Sequence, residues 1–222
     1  MMVGGMCSSV QAALDDLFGQ LDDTGVRVRG CTDRAFAKAR KGISYTVFEQ
    51  LNAHLLTLAA PKIDQHRWRG LRVVAADGSR LRVATRRGAE LEADHYALVL
   101  YLPGSELTLH AALGPADASE RQMMFEALEH TDRDDLLVLD RGYPGNTMAA
   151  AIVQQGRHFC MRVDACGWRC VRDFLRSGKS ETVATLGAPS ARDAATYELR
   201  REPTCRLPVN QCHAKSEVAG SF

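Results

Sequence analysis

No stretch of about 18 uninterrupted apolar residues occurs in the chain, so no segment is expected to cross a bilayer. Met1 to Asp15 carries neither a basic n-region nor a long apolar core and does not read as a signal peptide, so the expected location is cytoplasmic. The seven cysteines (Cys7, Cys31, Cys160, Cys166, Cys170, Cys205 and Cys212) are odd in number and irregular in spacing, unlike a secreted disulfide scaffold. Cys160, Cys166 and Cys170 lie close together, but no C-x-x-C pair exists to support zinc, and free thiols are the reading. There is no G-x-x-x-x-G-K-[ST] loop to seat ATP, no H-E-x-x-H pair, and no G-x-S-x-G elbow around Ser79. His66, His95, His110, His130, His158 and His213 are scattered, without a second base at useful spacing. Internal repeats and low-complexity tracts are also lacking.

What remains is an ordinary globular composition. With 222 residues, 45% hydrophobic and 25% charged, the chain suits one domain, or one domain with a small companion. Its net charge of +1 conceals a strong asymmetry. Arg67, Arg69, Arg72, Arg80, Arg82, Arg86 and Arg87 crowd one segment in which Asp77 is the sole acid. Asp117, Glu120, Glu126, Glu129, Asp132, Asp134 and Asp135 dominate another, against Arg121 and Arg133. Such a basic stripe suits a phosphate backbone, whose condensed counterions arginines displace; it equally suits a solvated face in a lysine-poor chain.

The first sixty or so residues read as helical. Val10, Leu14, Leu17, Phe18 and Leu21 form one face of an amphipathic helix that stops near Asp22 to Gly25. Ala35 to Arg40 is a short helix. Thr46 and Glu49 fit a capping box ahead of the stripe Phe48, Leu51, Leu55 and Leu58, and Pro61 is expected to close that helix. From Leu71 the period changes to two. Leu71 to Ala76 and Arg80 to Val83 read as a β-hairpin about Asp77-Gly78. Tyr96 to Leu102 and Leu107 to Leu113 are further strands. Ser119 to His130 is a helix with Met123, Met124, Ala127 and Leu128 inward, and Leu136 to Leu139 is a strand buried on both faces. Thr147 to Gln155 is a second helix, ended by Gly156, and His158 to Val163 a last strand. Hairpins first and helical crossovers afterwards imply a mixed α/β sheet. The expected division is a helical N-terminal region over 1–62, a catalytic core over 66–187 and an irregular tail over 188–222.

Asp77 and Asp140 each follow an apolar strand. Ligands gather beyond the carboxyl ends of strands in open α/β sheets, so the two carboxylates could converge there. Paired carboxylates are the donors Mg²⁺ prefers, and divalent ions serve phosphodiester chemistry. The plain alternatives are an Asp-Gly turn at Asp77 and a self-bonded turn at Asp140. Trp68 either packs the sheet edge or stacks on a base.

Trp68-Arg69-Gly70-Leu71-Arg72-Val73-Val74-Ala75-Ala76-Asp77-Gly78-Ser79 resembles the segment around the first catalytic aspartate of bacterial DDE-class insertion-sequence transposases, best the insertion-sequence-four group. Leu136-Leu137-Val138-Leu139-Asp140-Arg141-Gly142-Tyr143 is similar to that family's second aspartate motif, and Asp33 to Leu58 and Gly156 to Val163 also fit. The likeness runs from about Asp33 to Leu186. It implies a partial RNase H-like fold, with Mg²⁺ (Mn²⁺ as substitute) held by Asp77 and Asp140 as catalytic residues. It further implies cleavage at transposon ends, joining to target DNA, and a dimer with itself or with a full-length transposase. On that reading the seven arginines hold DNA phosphates. The family's third acid lies in a Tyr-x-x-Arg-x-x-x-Glu-x-x-x-x-x-x-Lys signature. Here Tyr197 and Arg200 have the spacing, but position 204 is Thr and position 211 is Gln, and Glu198 and Glu202 do not restore the pattern. The expectation is therefore a transposase shortened before its third acid. The alternatives are a non-catalytic DNA-binding or dimer-interfering remnant, and a metal-dependent nuclease or phosphatase.

Overall fold

The computed structural model describes residues 9–22, 26–84, 92–165 and 167–210. The chain divides into two compact units, Met1–Leu58 and Ala59–Phe222.

In the first unit, α1 (Val10–Leu21) and α2 (Asp33–Arg40) are both side-chain capped. Ser9 accepts from the Ala12 amide and Thr32 from the Ala35 amide, satisfying amides that a helix start leaves unpaired. Asp16 and Asp15 of α1 pair with Arg27 and Arg29 of the following segment. Helix α3 (Thr46–Gln65) begins at the expected residue but continues through Pro61. A proline inside a helix forfeits one backbone bond, here the one the carbonyl of Thr57 would accept. The helix runs one further turn before it ends. Its stripe of Phe48, Leu51, Leu55 and Leu58 is exposed.

The second unit is built on a five-stranded sheet of order β3-β2-β1-β4-β5, from β1 (Arg72–Ala84), β2 (Glu92–Leu102), β3 (Leu107–Pro115), β4 (Asp135–Leu139) and β5 (His158–Met161). The first three strands are antiparallel neighbours, whereas β4 pairs with β1 in parallel, and β5 with β4 likewise. Helix α4 (Glu120–Ala127), extended by a 3-10 turn at Leu128–His130, crosses from β3 to β4; α5 (Asn146–Gln154) crosses from β4 to β5. This mixed sheet with helical crossovers is the α/β, partial RNase H-like architecture expected.

The strand period sorts the two faces. Val74, Ala76, Leu98, Leu100, Leu137 and Leu139 share one face, and all are buried, as are Met124 and Leu128 of the α4 segment and Met148 and Ile152 of α5. The opposite face carries Leu113, 69% exposed, and Val138, 37% exposed. One side of β4 is therefore covered less than a strand buried on both faces would be.

Two local readings are corrected here. Asp77-Gly78 does not turn the chain. Strand β1 is continuous and pairs with β2 from Ala75↔Tyr101 to Ala84↔Glu92, with Asp77 opposite Val99 and Gly78 opposite Leu98. Ten ladder pairs along one partner outweigh the turn preference of a dipeptide. The stretch after Gly187 is not irregular throughout either. Helix α7 (Ala191–Thr196) is capped by Ser190, and β7 (Thr204–Asn210) pairs antiparallel with β6 (Glu181–Leu186) in a separate two-stranded sheet. Helix α6 (Arg169–Arg176) precedes that pair. The α7 end is docked: Thr147 donates to Asp193, Tyr197 donates to Gln122, and the Tyr197 ring stacks on Phe125 at 4.0 Å.

A candidate active site at the ends of two parallel strands

Parallel pairing of β1 with β4 ends at Ala76↔Leu139, and the next residue on each strand is an aspartate. Asp77, still within β1, and Asp140, just past the end of β4, therefore lie next to each other in register, with Asp77 on the face opposite Ala76 and the buried leucines. Both are exposed, and neither makes an ion pair among the described residues. Asp140 Oδ1 accepts the Gly142 amide at 2.7 Å, the self-bonded turn foreseen for it. This bond fixes one carboxylate oxygen and leaves the other to solvent.

Strand β3 is antiparallel to β2 and so runs with β1, which places the start of α4 at the same end of the sheet as Asp140. Ser119 caps α4, accepting from the Gln122 amide, and Glu120 is its first residue. Arg121 donates to the carbonyl oxygens of Gly142 and Pro144 at 2.9 and 3.4 Å, tying the turn after Asp140 to the helix. Glu120 projects toward two tyrosines. The Tyr96 hydroxyl is pushed up to about 12, by burial first and then by its hydrogen bond to the Glu120 carboxylate. Tyr143 is fully buried, and burial, with Glu120 next, raises its hydroxyl as well. That hydroxyl is aimed at Glu120 yet closes no hydrogen bond of normal geometry. The sequence reading singled out none of Glu120, Tyr96 and Tyr143 as a member of a site. An acid beside Ser119 reads as a helix start, Tyr96 as the start of a strand, and Tyr143 as part of the turn that follows Asp140.

Among the described residues, the arginines of the basic segment do not form one patch. Arg72 Nε and Nη2 donate to the two oxygens of fully buried Asp135 at 2.6 and 2.8 Å, and Nη2 also reaches Asp132 at 3.0 Å. Arg72 is thus tied into the fold at the far end of β1 from Arg80 and Arg82. Arg67 is likewise engaged, with Asp64 and the Gly70 carbonyl, and Arg69 lies over the Trp68 ring at 4.9 Å. Arg80 and Arg82 lie beyond Asp77 on the exposed half of β1, where Arg82 approaches Asp94 at 3.6 Å. At roughly 3.3 Å per residue, about 30 Å of strand separates Arg72 from Arg82. Arg86 and Arg87 lie outside the described residues, as does Cys166 of the cysteine group. Trp68 is about half exposed and forms an isolated bridge with Leu71.

A family model, described as a transposase DDE domain, matches residues 68–203, more than half of the chain. The chain belongs to the DDE transposase family. No curated protein matches it. The matched span runs from the strand of Asp77 through that of Asp140 to the segment before β7.

The donor set at this site suits a hard divalent cation. Mg²⁺ takes one or two carboxylates and fills its remaining positions with water and substrate phosphate, which paired and solvent-facing Asp77 and Asp140 allow. Among the described residues no three His, Cys, Asp or Glu side chains are arranged as a ready-made cage. No described helix is long and apolar enough to cross a membrane.

Proposed function

We infer that this transposase domain acts on the ends of a bacterial insertion sequence of the insertion-sequence-four kind, with Asp77 and Asp140 as its catalytic pair. The observation that carries this reading is the register: two carboxylates emerge from adjacent parallel strands one residue beyond Ala76↔Leu139. Asp77 and Asp140 would hold Mg²⁺, or Mn²⁺ in its place. When bound, such an ion supplies charge to stabilise the attacking and leaving oxygens of a phosphodiester. The chain's own part is positional. The parallel ladder keeps the two aspartates adjacent, the Gly142 amide orients Asp140, and the Arg121 clamp holds the following turn. Arg80 and Arg82, with Arg86 and Arg87 further on, would hold DNA phosphates. The protein would work in the cytoplasm and as a dimer.

A specific observation favours a second reading, a DNA-binding remnant with little cleavage. Position 204 is Thr where the family signature places its glutamate, and no residue of 188–222 restores that pattern. A third reading, a general nuclease or phosphatase, has only the donor chemistry in its favour. One assay separates them: the purified chain with labelled duplex from the flanks of its own gene, with Mn²⁺, beside Asp77→Ala and Asp140→Ala. Slow end-specific nicking lost in both variants supports a transposase. Salt-dependent binding without nicking supports the remnant. Hydrolysis of unrelated phosphoesters supports the third reading, and neither binding nor cleavage refutes all three.

A further inference from the structure

Helix α3 carries an apolar stripe that lies in solvent, and none of its 20 residues is buried. Phe48, Leu51, Leu55 and Leu58 are between 47% and 67% exposed, and Tyr45, three residues ahead of Phe48, is exposed as well. The four stripe residues follow one another at intervals of three, four and three, the a and d spacing of a coiled-coil seam. With Tyr45 they offer roughly 300–500 Å² of apolar surface, as much as a soluble monomer ordinarily exposes in one patch. Charge selects the occupant. From Val47 to Ala60 the helix has Glu49 but no lysine or arginine, so the stripe suits neither a phosphate backbone nor an anionic lipid surface, which both call for basic flanks. A second copy of the stripe fits, because it brings the same seam spacing and no charge into the layers. The two copies must run in opposite directions. The next seam position is Lys62, which a parallel pair would set against itself. An antiparallel pair that levels Phe48 with Leu58 and Leu51 with Leu55 has four wholly apolar layers, places Lys62 level with Ser44, and opposes the two helix dipoles.

We propose that the α3 stripe from Phe48 to Leu58 is the surface on which a second copy of this chain docks, antiparallel and related by a two-fold axis. This gives the dimer named under the proposed function its interface; it rests on that dimer and on no catalytic assignment. Both copies bury Leu51 and Leu55 at the centre, and Asn52 and His54 flank the seam. A standard interface covers about 800 Å² on each partner, and the stripe supplies about half of that as an apolar core, so the dimer should be reversible and dissociate in roughly the micromolar range.

Sedimentation equilibrium of the full chain from about 1 to 100 µM, without metal or DNA, tests this. The unaltered chain should pass from monomer to dimer over that range. Leu51→Glu with Leu55→Glu should weaken association by at least about a hundredfold, because carboxylates then face each other in both central layers. Leu51→Glu with Leu55→Lys should restore association, because antiparallel pairing sets each carboxylate of one copy against an ammonium of the other. These side chains are exposed in the single chain, so melting temperatures at low concentration should match that of the unaltered chain. A monomer at every concentration overturns the interface and the dimer together. A dimer that survives both glutamates overturns the interface and places the dimer contact elsewhere. No recovery with Leu55→Lys overturns the antiparallel pairing. If the charged variants fail to fold, Leu58→Gln decides, since Leu58 is the most exposed leucine of the stripe. Association weaker by about tenfold or more then supports the seam, and unchanged association overturns it.

Discussion

Replacing Arg72 by methionine should cost this protein more stability than removing any other arginine of its basic segment. Asp135 has no exposed surface, and Arg72 closes two short bonds to it across the start of the β1–β4 pair. Methionine keeps the apolar stem and deletes the charge, so the loss falls on the stranded carboxylate. Breaking a buried pair in this way costs about 3–5 kcal/mol. The Asp132 amide, which donates to Asp135 Oδ2 at 2.7 Å, survives the change and argues for the lower end, about 3 kcal/mol. For a domain of this size that is a fall in melting temperature of roughly 6–12 °C. Urea denaturation of Arg72→Met against the unaltered chain measures it. Asp132→Asn is the control: its carboxylate is mostly exposed, and the loss should stay below about 1 kcal/mol. The double variant Arg72→Met with Asp135→Leu should recover most of the loss, because an apolar pair avoids the desolvation that the ion pair suffers. A loss under about 1 kcal/mol for Arg72→Met would refute the assignment and return Arg72 to the surface.

DNA affinity should fall steeply with salt, and Arg82→Ala with Arg86→Ala and Arg87→Ala should flatten the logarithmic slope by up to about 2.7; an unchanged slope by fluorescence anisotropy would mean these residues touch no phosphate. Tyr96 and Tyr143 should ionise late in an alkaline absorbance titration. Because their folded values are raised above the ordinary value near 10, the stability they contribute is complete below about pH 10 and is lost as pH rises through the folded value, about 12 for Tyr96. Tyr96→Phe should remove one late-ionising group, and its persistence would count against the contact with Glu120. Gly78→Ala should destabilise by about 1–3 kcal/mol through collision with Glu120 and Tyr96, and a neutral result in denaturation would show that those side chains yield freely.

Much of the catalytic half was legible because its signals are local. Ser119 with inward Met123, Met124, Ala127 and Leu128 identifies α4, and the apolar run before Asp140 identifies β4. What was misread depends on distant partners. Asp77-Gly78 carries a turn signature, but β2 overrides it from 22 residues away, as the Asp77↔Val99 pairing shows. Arg72 looks like one of seven similar charges until Asp135, 63 residues later, claims it. The tail was illegible because α7 is six residues long, too short for a period, and because Pro208 argues against a strand. A two-stranded ribbon consists of edges alone, and there a missing amide is tolerated. The placement of Glu120 needs the return of β3 alongside β1, which no spacing reveals.

Strand β1 outlasts its neighbour β4. Beyond Ala76 its backbone is paired, among the described residues, on the β2 side alone, so Gly78 to Ala84 forms an open sheet edge there beside the site. Open edges are templates on which other chains can add a strand, and charge is one means by which proteins discourage this. Arg80 and Arg82 alternate along that edge with Ser79 and Leu81. Their charge can therefore act as a gatekeeper against self-association whether or not DNA is present. Substitutions that remove it should be watched for insolubility, because a loss of DNA binding in an aggregated sample would be mistaken for the loss of a phosphate contact.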